Sequence, residues 1–252
     1  MDATDLTRDA FLGGRVHIWQ PRKGFRSGID AVLLAAAVPA RPGQTILELG
    51  CGAGAASLCL AARVADLTLT GVELQPSYAD LARRNASENG AALSVTTADL
   101  SVLPPKLRQQ RFDHVLMNPP YFDTRHGTGS PDPARATALA GETPLACWLD
   151  VGIRRLAPRG HLTLIQHITR LPEVLSLTAP RLGSVRVRPI QARLNRPATL
   201  FLLQARQEGR APFDLRPPLC LHEGDAHDGD RESYTPQVQD VLRNAAELSF
   251  DD

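Results

Sequence analysis

The stretch Thr45-Ile46-Leu47-Glu48-Leu49, followed by Gly50-Cys51-Gly52-Ala53-Gly54, limits the possible folds more than any other in the chain. A short apolar run with a single acid reads as a buried strand. Glycines admit backbone conformations closed to other residues and let a ligand approach the main chain. The small residues that follow, with Leu58-Cys59-Leu60, continue as a helix. Strand, glycine turn and helix make the first unit of a doubly wound α/β sheet. The glycine spacing also fits the dinucleotide fingerprint if Ala55 stands for its last glycine, so the loop alone leaves the cofactor open.

Later runs repeat the alternation. Residues 67–73 read as a second strand ending in Glu73. That acid lies about twenty residues past the glycine turn, where such folds place the carboxylate that accepts from ribose hydroxyls. A helix from Pro76 stops at Asn89-Gly90, and residues 93–97 form a third strand. Asp99 then either accepts from a purine amine or caps the segment that starts at Ser101. Upstream, residues 11–20 pair as short strands about Gly13-Gly14, and Ser27, Gly28 and Asp30 punctuate the start of a helix reaching about residue 38. Asp30 either complements the helix dipole or faces a ligand. Downstream, the pattern predicts a helix over 143–156, a strand over 160–166, a helix over 171–182 and an antiparallel edge pair over 185–190 and 198–205. An extended excursion over 212–223 and an amphipathic helix over 236–248 end the chain. With no internal repeat, the expected organisation is an N-terminal extension over 1–40 and one domain over 41–252.

The chemistry concentrates at Asn118-Pro119-Pro120-Tyr121, which follows a fourth apolar strand over 112–117. Two prolines cannot continue a ladder, because neither has an N–H to donate. The chain therefore leaves the sheet at Asn118, at a carboxyl strand end, where ligands sit in open α/β sheets. An amide oxygen and a proline-fixed carbonyl are two uncharged acceptors suited to a planar –NH2 group, and Tyr121 offers a flat face for stacking. Nothing after the glycine loop supplies a hydride-transfer site, which disfavours a dehydrogenase. Residues 122–135 form a long polar loop rich in glycine and proline, read as a lid over a phosphate-bearing substrate through Arg125 and Arg135, with His126 facing solvent.

A formal net charge of +1 hides an uneven distribution. Twelve arginines stand between Val151 and Leu221 against three acids, Glu173, Glu208 and Asp214. Arginine forks suit phosphate, although a solvated face has the same composition. Beyond His222 the balance reverses, with Glu223, Asp225, Asp228, Asp230 and Glu232 close together. Cys51, Cys59, Cys147 and Cys220 are scattered, and the polar N-terminus lacks a signal sequence. No run is long enough to span a bilayer, so a reduced, cytoplasmic protein without structural zinc is expected.

The ordered set Glu48-x-Gly50-x-Gly52-x-Gly54, Glu73, Asp99 and Asn118-Pro119-Pro120-Tyr121 resembles the class I S-adenosylmethionine-dependent methyltransferases, in their amino-group branch. Residues 26–34, Arg-Ser-Gly-Ile-Asp-Ala-Val-Leu-Leu, and Glu232-Ser233-Tyr234-Thr235 narrow the likeness to the bacterial tRNA adenine-N6 methyltransferases that modify valine tRNA just 3′ of the anticodon. Ile29 departs from the threonine common before the aspartate, and the acidic stretch from Glu223 has no family role. The resemblance implies a Rossmann-like fold with a seven-stranded, mostly parallel sheet and an antiparallel edge hairpin. It implies S-adenosylmethionine as cofactor, no metal, and RNA, foremost tRNA, as partner. Gly50, Gly52 and Gly54 would approach the methionine part of the cofactor, with Glu48 and Asp30 near its ammonium end. Glu73 would hold the ribose and Asp99 the adenine. Asn118 and the Pro119 carbonyl would grip the target amine, and Tyr121 would stack the base. A glutamine side chain, as in release-factor methyltransferases, and a guanine amine are acceptors that the motif equally tolerates. A non-catalytic RNA-binding module is the reading from another class.

Overall fold

A computed structural model describes residues 5–121, 143–224 and 233–250. The chain opens with an antiparallel hairpin, β1 (Leu6–Phe11) and β2 (Val16–Pro21), turned through Leu12, Gly13 and Gly14, all with positive φ. The turn stands where Gly13-Gly14 places it. The first strand starts five residues before the expected 11, because Leu6 is buried and anchors its far end opposite Pro21.

Helix α1 (Ile29–Ala37) follows, buried from Ala31 onward. Then come β3 (Thr45–Leu49), α2 (Ala55–Arg63), β4 (Thr68–Glu73), α3 (Pro76–Glu88), β5 (Leu93–Thr97), α4 (Pro105–Gln109) and β6 (Phe112–Met117). After the segment that ends at residue 142 come α5 (Leu145–Arg155), β7 (Leu156–His167), α6 (Leu171–Thr178), β8 (Gly183–Gln191) and β9 (Ala198–Arg206). Two-residue strands β10 (Asp214–Leu215) and β11 (Leu219–Cys220) precede α7 (Pro236–Asn244).

The main sheet runs β10-β8-β9-β7-β6-β3-β4-β5, with β11 also on β8. Strands β3 to β7 are mutually parallel, and β9 is antiparallel to β7 and β8. Among the described residues this sheet has nine strands where seven were expected. The two extra pieces come from the 212–223 excursion, which runs parallel to the outer strand β8. Pro217 and Pro218 separate them, since neither can donate to a ladder, so the pairing breaks into two short contacts. Strand β7 begins at Leu156 rather than 160 because Leu156 pairs with Phe112 across a register shift. Helix α6 ends four residues early, ahead of Pro180, and α7 ends at Asn244, beyond which Ala245 has a φ of 59°.

Side chains alternate across the sheet and feed two apolar layers. Ile46, Leu69 and Leu116 face a layer with Leu33, Leu34, Leu58 and Val241 from α1, α2 and α7. Leu47, Leu49, Val115 and Met117 face Leu149, Ile153 and Val174 of α5 and α6. No helix among the described residues is long and apolar enough to cross a membrane.

The hairpin stays outside the main sheet and is held by amides instead. Asn85 accepts from Trp19 N (2.8 Å) and donates to Trp19 O (3.1 Å) and to Ala53 O in the glycine loop (2.9 Å). One turn on, Asn89 accepts from His17 N (3.0 Å) and donates to His17 O (2.7 Å). The i, i+4 spacing puts both amides on one face of α3, where they act as a substitute strand. Asn85 is fully buried, so truncating it strands polar groups without water. Asn85→Ala is expected to cost about 1–3 kcal/mol, read as a lower urea midpoint; an unchanged midpoint would contradict the docking role.

Candidate active site

Strand register sets the site. Leu49 of β3 is level with Val72 of β4 on one side and Met117 of β6 on the other. Glu73 in turn is level with Thr97 of β5. Gly50, Glu73, Asn118 and Asp99 therefore emerge along one carboxyl edge. Two backbone bonds continue the edge beyond the ladders, Cys51 N to Val72 O (3.0 Å) and Ala98 N to Glu73 O (2.9 Å).

The three motif glycines all have positive φ, but they serve different neighbours. A Cβ on Gly50 would lie 2.3 Å from the Trp148 ring of α5, so on that side this glycine admits a packing indole. One on Gly54 would press on Leu93 at 3.3 Å. At Gly52 the sole neighbour within 4 Å among the described residues is Phe25, at 3.7 Å, so these leave its face open to a ligand.

Glu73 is the clasp of this loop. Its Oε2 accepts from Gly52 N (2.9 Å) and its Oε1 from Gln75 N (2.9 Å). Each carboxylate oxygen keeps a further lone pair for a hydroxyl donor. Glu48 is buried against α2, where its Oε2 accepts from Ser57 N (3.0 Å) and from the Ser57 hydroxyl. It thereby satisfies an N–H of the first helical turn. Burial pushes its carboxyl up to about 7, against the two Ser57 bonds that favour the charged form; Glu73 adds a smaller push upward. Asp99 caps the next turn, its Oδ1 accepting from Ser101 N (2.7 Å) and Oγ (2.8 Å), and these bonds hold its carboxyl below the ordinary value.

The Asn118-Pro119-Pro120-Tyr121 turn is wired on both sides. Tyr121 donates its hydroxyl to Asp30 Oδ2 (2.7 Å). Burial, then the Asp30 charge and that bond, push the phenol well above its usual range, while the nearby Asn118 amide works the other way. A phenol that gives its proton to Asp30 keeps its oxygen lone pairs for a donor, which the neighbouring Asn118 amide carries on its –NH2 end. On the other side, Gln166 of β7 donates to the carbonyls of Pro119 (3.1 Å) and Pro120 (3.3 Å).

Three residues at this edge were not singled out from sequence. Asn85 fixes the Ala53 carbonyl, Gln166 fixes the proline carbonyls, and Tyr78 donates to Phe25 O (2.9 Å), pinning the 22–28 loop above Gly52. The signal for two of them was a lone amide on an apolar face, Asn85 in α3 and Gln166 after Leu162-Thr163-Leu164-Ile165.

The arginine-rich segment is largely committed to internal contacts. Arg154 and Arg181 pair with Asp150, Arg170 with Glu173 and Arg216 with Asp214. Arg155 donates to Leu107 O, Arg193 to the carbonyls of Glu223 and Gly224, and Arg188 lies over the Phe250 ring. Arg125, His126, Arg135 and most of the acidic stretch after Glu223 lie outside the described residues. A cavity of about 530 Å³ opens at the opposite edge of the sheet, beside Arg111, Ile153, Arg154 and Arg181, away from every motif residue. Among the described residues, no group of three or more His, Cys, Asp or Glu is placed to hold a metal ion.

The family model described as "Methyltransferase small domain" matches residues 27–130. A tRNA1(Val) (adenine(37)-N6)-methyltransferase of Cronobacter sakazakii is 35% identical over 152 residues, which are 57% of this chain and 61% of that protein. The enzyme of the same description from Porphyromonas gingivalis is 32% identical over 204 residues, 77% of each. A crystal structure from Agrobacterium tumefaciens, described as a predicted O-methyltransferase, superposes with a TM-score of 0.69 at 26% identity, covering 88% of this chain and 100% of that one.

Burial of Glu48 has a stability consequence. Its folded value of about 7 exceeds the ordinary 4.5, so between these values the folded state holds the proton that the unfolded state has lost. Stability therefore falls as pH rises through that window. Glu48→Gln removes this slope and should gain on the wild type by up to about 3 kcal/mol as pH rises through the window, measured by denaturant unfolding. A difference that stays flat with pH would contradict the burial of a raised carboxyl.

Proposed function

The chain belongs to the tRNA1(Val) (adenine(37)-N6)-methyltransferase family, and from that premise we propose that it transfers a methyl group from S-adenosylmethionine to the N6 amine of an adenine in tRNA. In this reading residues 41–252 form the methyltransferase domain, residues 1–40 are its N-terminal extension, and the protein works in the cytoplasm, where tRNA is. The donor set fits the cofactor: an open backbone at Gly52, spare lone pairs on Glu73 and carboxylates at Asp30 and Asp99 suit a cationic, ribose-bearing nucleoside. When bound, S-adenosylmethionine supplies an electrophilic methyl on a sulfonium.

The observation that carries the reading is the pair of acceptors at the end of β6. Asn118 brings an amide oxygen there, and the Pro119 carbonyl next to it is held by Gln166. An aryl amine is normally planar, with its lone pair drawn into the ring. Two acceptors that take both hydrogens favour a pyramidal nitrogen with that lone pair exposed. As positive charge builds on the nitrogen, both bonds strengthen, so the pair stabilises the transition state more than the ground state. Positioning supplies the rest. The base must leave its stack to reach the turn, where the ring of Tyr121 would support it. Arginines not engaged internally, with Arg125 and Arg135, would meet the phosphates.

An oxygen acceptor is the second reading, favoured by the description of the Agrobacterium structure. A hydroxyl has one hydrogen and leaves one of the two acceptors unmet, which ranks it below an amine. Both are separated by one assay. Purified protein, labelled cofactor and tRNA from a strain lacking the gene should yield N6-methyladenine. Asn118→Ala should lower kcat by about 10²-fold or more with little change in cofactor Kd. Absence of N6-methyladenine from a folded, cofactor-binding protein would sink the proposal.

A further inference from the structure

We infer that Gln166 is a positioning residue for methyl transfer: it holds the Pro119 carbonyl at the angle from which that oxygen meets the target amine. The inference rests on the reading of Asn118 and Pro119 as the amine's acceptors.

The need for such a residue follows from the prolines. The ladder between β6 and β7 keeps register as far as Met117 opposite Leu164. In the next residues of β6 the ladder would need an N–H to orient the peptide groups. Pro119 and Pro120 have none, so the main chain that must present a carbonyl accurately is the part the sheet cannot align. Gln166, two residues beyond Leu164 on β7, reaches across from the neighbouring strand. Its Nε2 donates to Pro119 O at 3.1 Å and to Pro120 O at 3.3 Å. Its other end is also committed, with Oε1 accepting from His167 N at 2.7 Å. The amide therefore cannot flip without losing all three contacts, and it is fully buried, so water does not replace them.

The stoichiometry of lone pairs makes this compatible with substrate binding. A carbonyl oxygen accepts two hydrogen bonds. One comes from Gln166, and the other remains for the amine. On the other side of the turn, Tyr121 is tied to Asp30 of the N-terminal helix. The turn thus has two supports, one from the N-terminal helix and one from β7. Glutamine is the residue type the place requires. Glutamate has no hydrogen to donate unless protonated, and then a single O–H, and methionine of similar length gives nothing.

The test uses full-length protein with S-adenosylmethionine and tRNA from a strain lacking the gene. Gln166→Met should lower kcat about tenfold to a hundredfold, while cofactor Kd and tRNA KM stay within about twofold. For Gln166→Glu, the ratio of its kcat to that of the wild type should fall as pH rises, because only the protonated carboxyl can donate to Pro119 O. Taking the ratio removes ionisations common to both proteins, including those of Asp30, Tyr121 and His167. A Gln166→Met enzyme within about twofold of an active wild type would overturn the inference alone. So would a Glu/wild-type ratio that is flat with pH, which a packing role predicts; this arm stands even if the Met variant fails to bind cofactor. A folded wild type with no methyl transfer would overturn the underlying reading and this inference with it.

Discussion

Strand β3 is hydrogen-bonded on both flanks, and the site depends on the register of those two ladders. Leu49 opposite Val72 and Met117 brings the glycine turn, Glu73 and Asn118 to one level. A slip of one residue would turn Glu48 from α2 toward the opposite layer and carry the turns out of line. The register is secured by alternation, since Ile46 serves one apolar layer while Leu47 and Leu49 serve the other. Beyond the ladders, Gly52 N on Glu73 fastens the turn after β3 to the end of β4, so the loop's shape follows from the sheet that carries it.

Along this edge, charge and neutrality are divided between the two halves of the site. Glu73 brings a carboxylate to the glycine turn, on the side proposed for a cationic nucleoside. At the end of β6 stand a neutral amide and a peptide carbonyl. The two halves meet at Asp30, which accepts from Tyr121 and so joins α1 to the turn that ends β6. The extension closes the arrangement, as Asn85 ties the hairpin to Ala53 and Tyr78 holds the 22–28 loop over Gly52.

What could be read from sequence was what short-range patterns encode. Periodicity located the parallel strands and their helices, and the two prolines marked where β6 must end. The roles of individual residues were less accessible, because they depend on partners far apart in the chain. Gly50 read as a ligand-approach glycine, and its packing role, with the Trp148 ring in the space a Cβ would take, had no local signal. The arginine excess suggested phosphate, yet much of it pairs with Asp150, Glu173 and backbone carbonyls. The strands β10 and β11 were invisible because two-residue pairings on an edge carry no periodic signal. Gln166 carries no signature except a polar residue ending an apolar run; its meaning appears only when β7 is laid beside the prolines.

The central claim is that one nitrogen is held by two neutral acceptors at the end of β6. A crystal structure with S-adenosylhomocysteine and an anticodon stem-loop bearing the unmodified adenine tests it most directly. The account predicts the adenine N6 about 3 Å from both Asn118 Oδ1 and Pro119 O, with the Gln166 amide still on that carbonyl. An adenine whose N6 meets neither oxygen, or an Asn118 side chain turned away from the bound base, would contradict it.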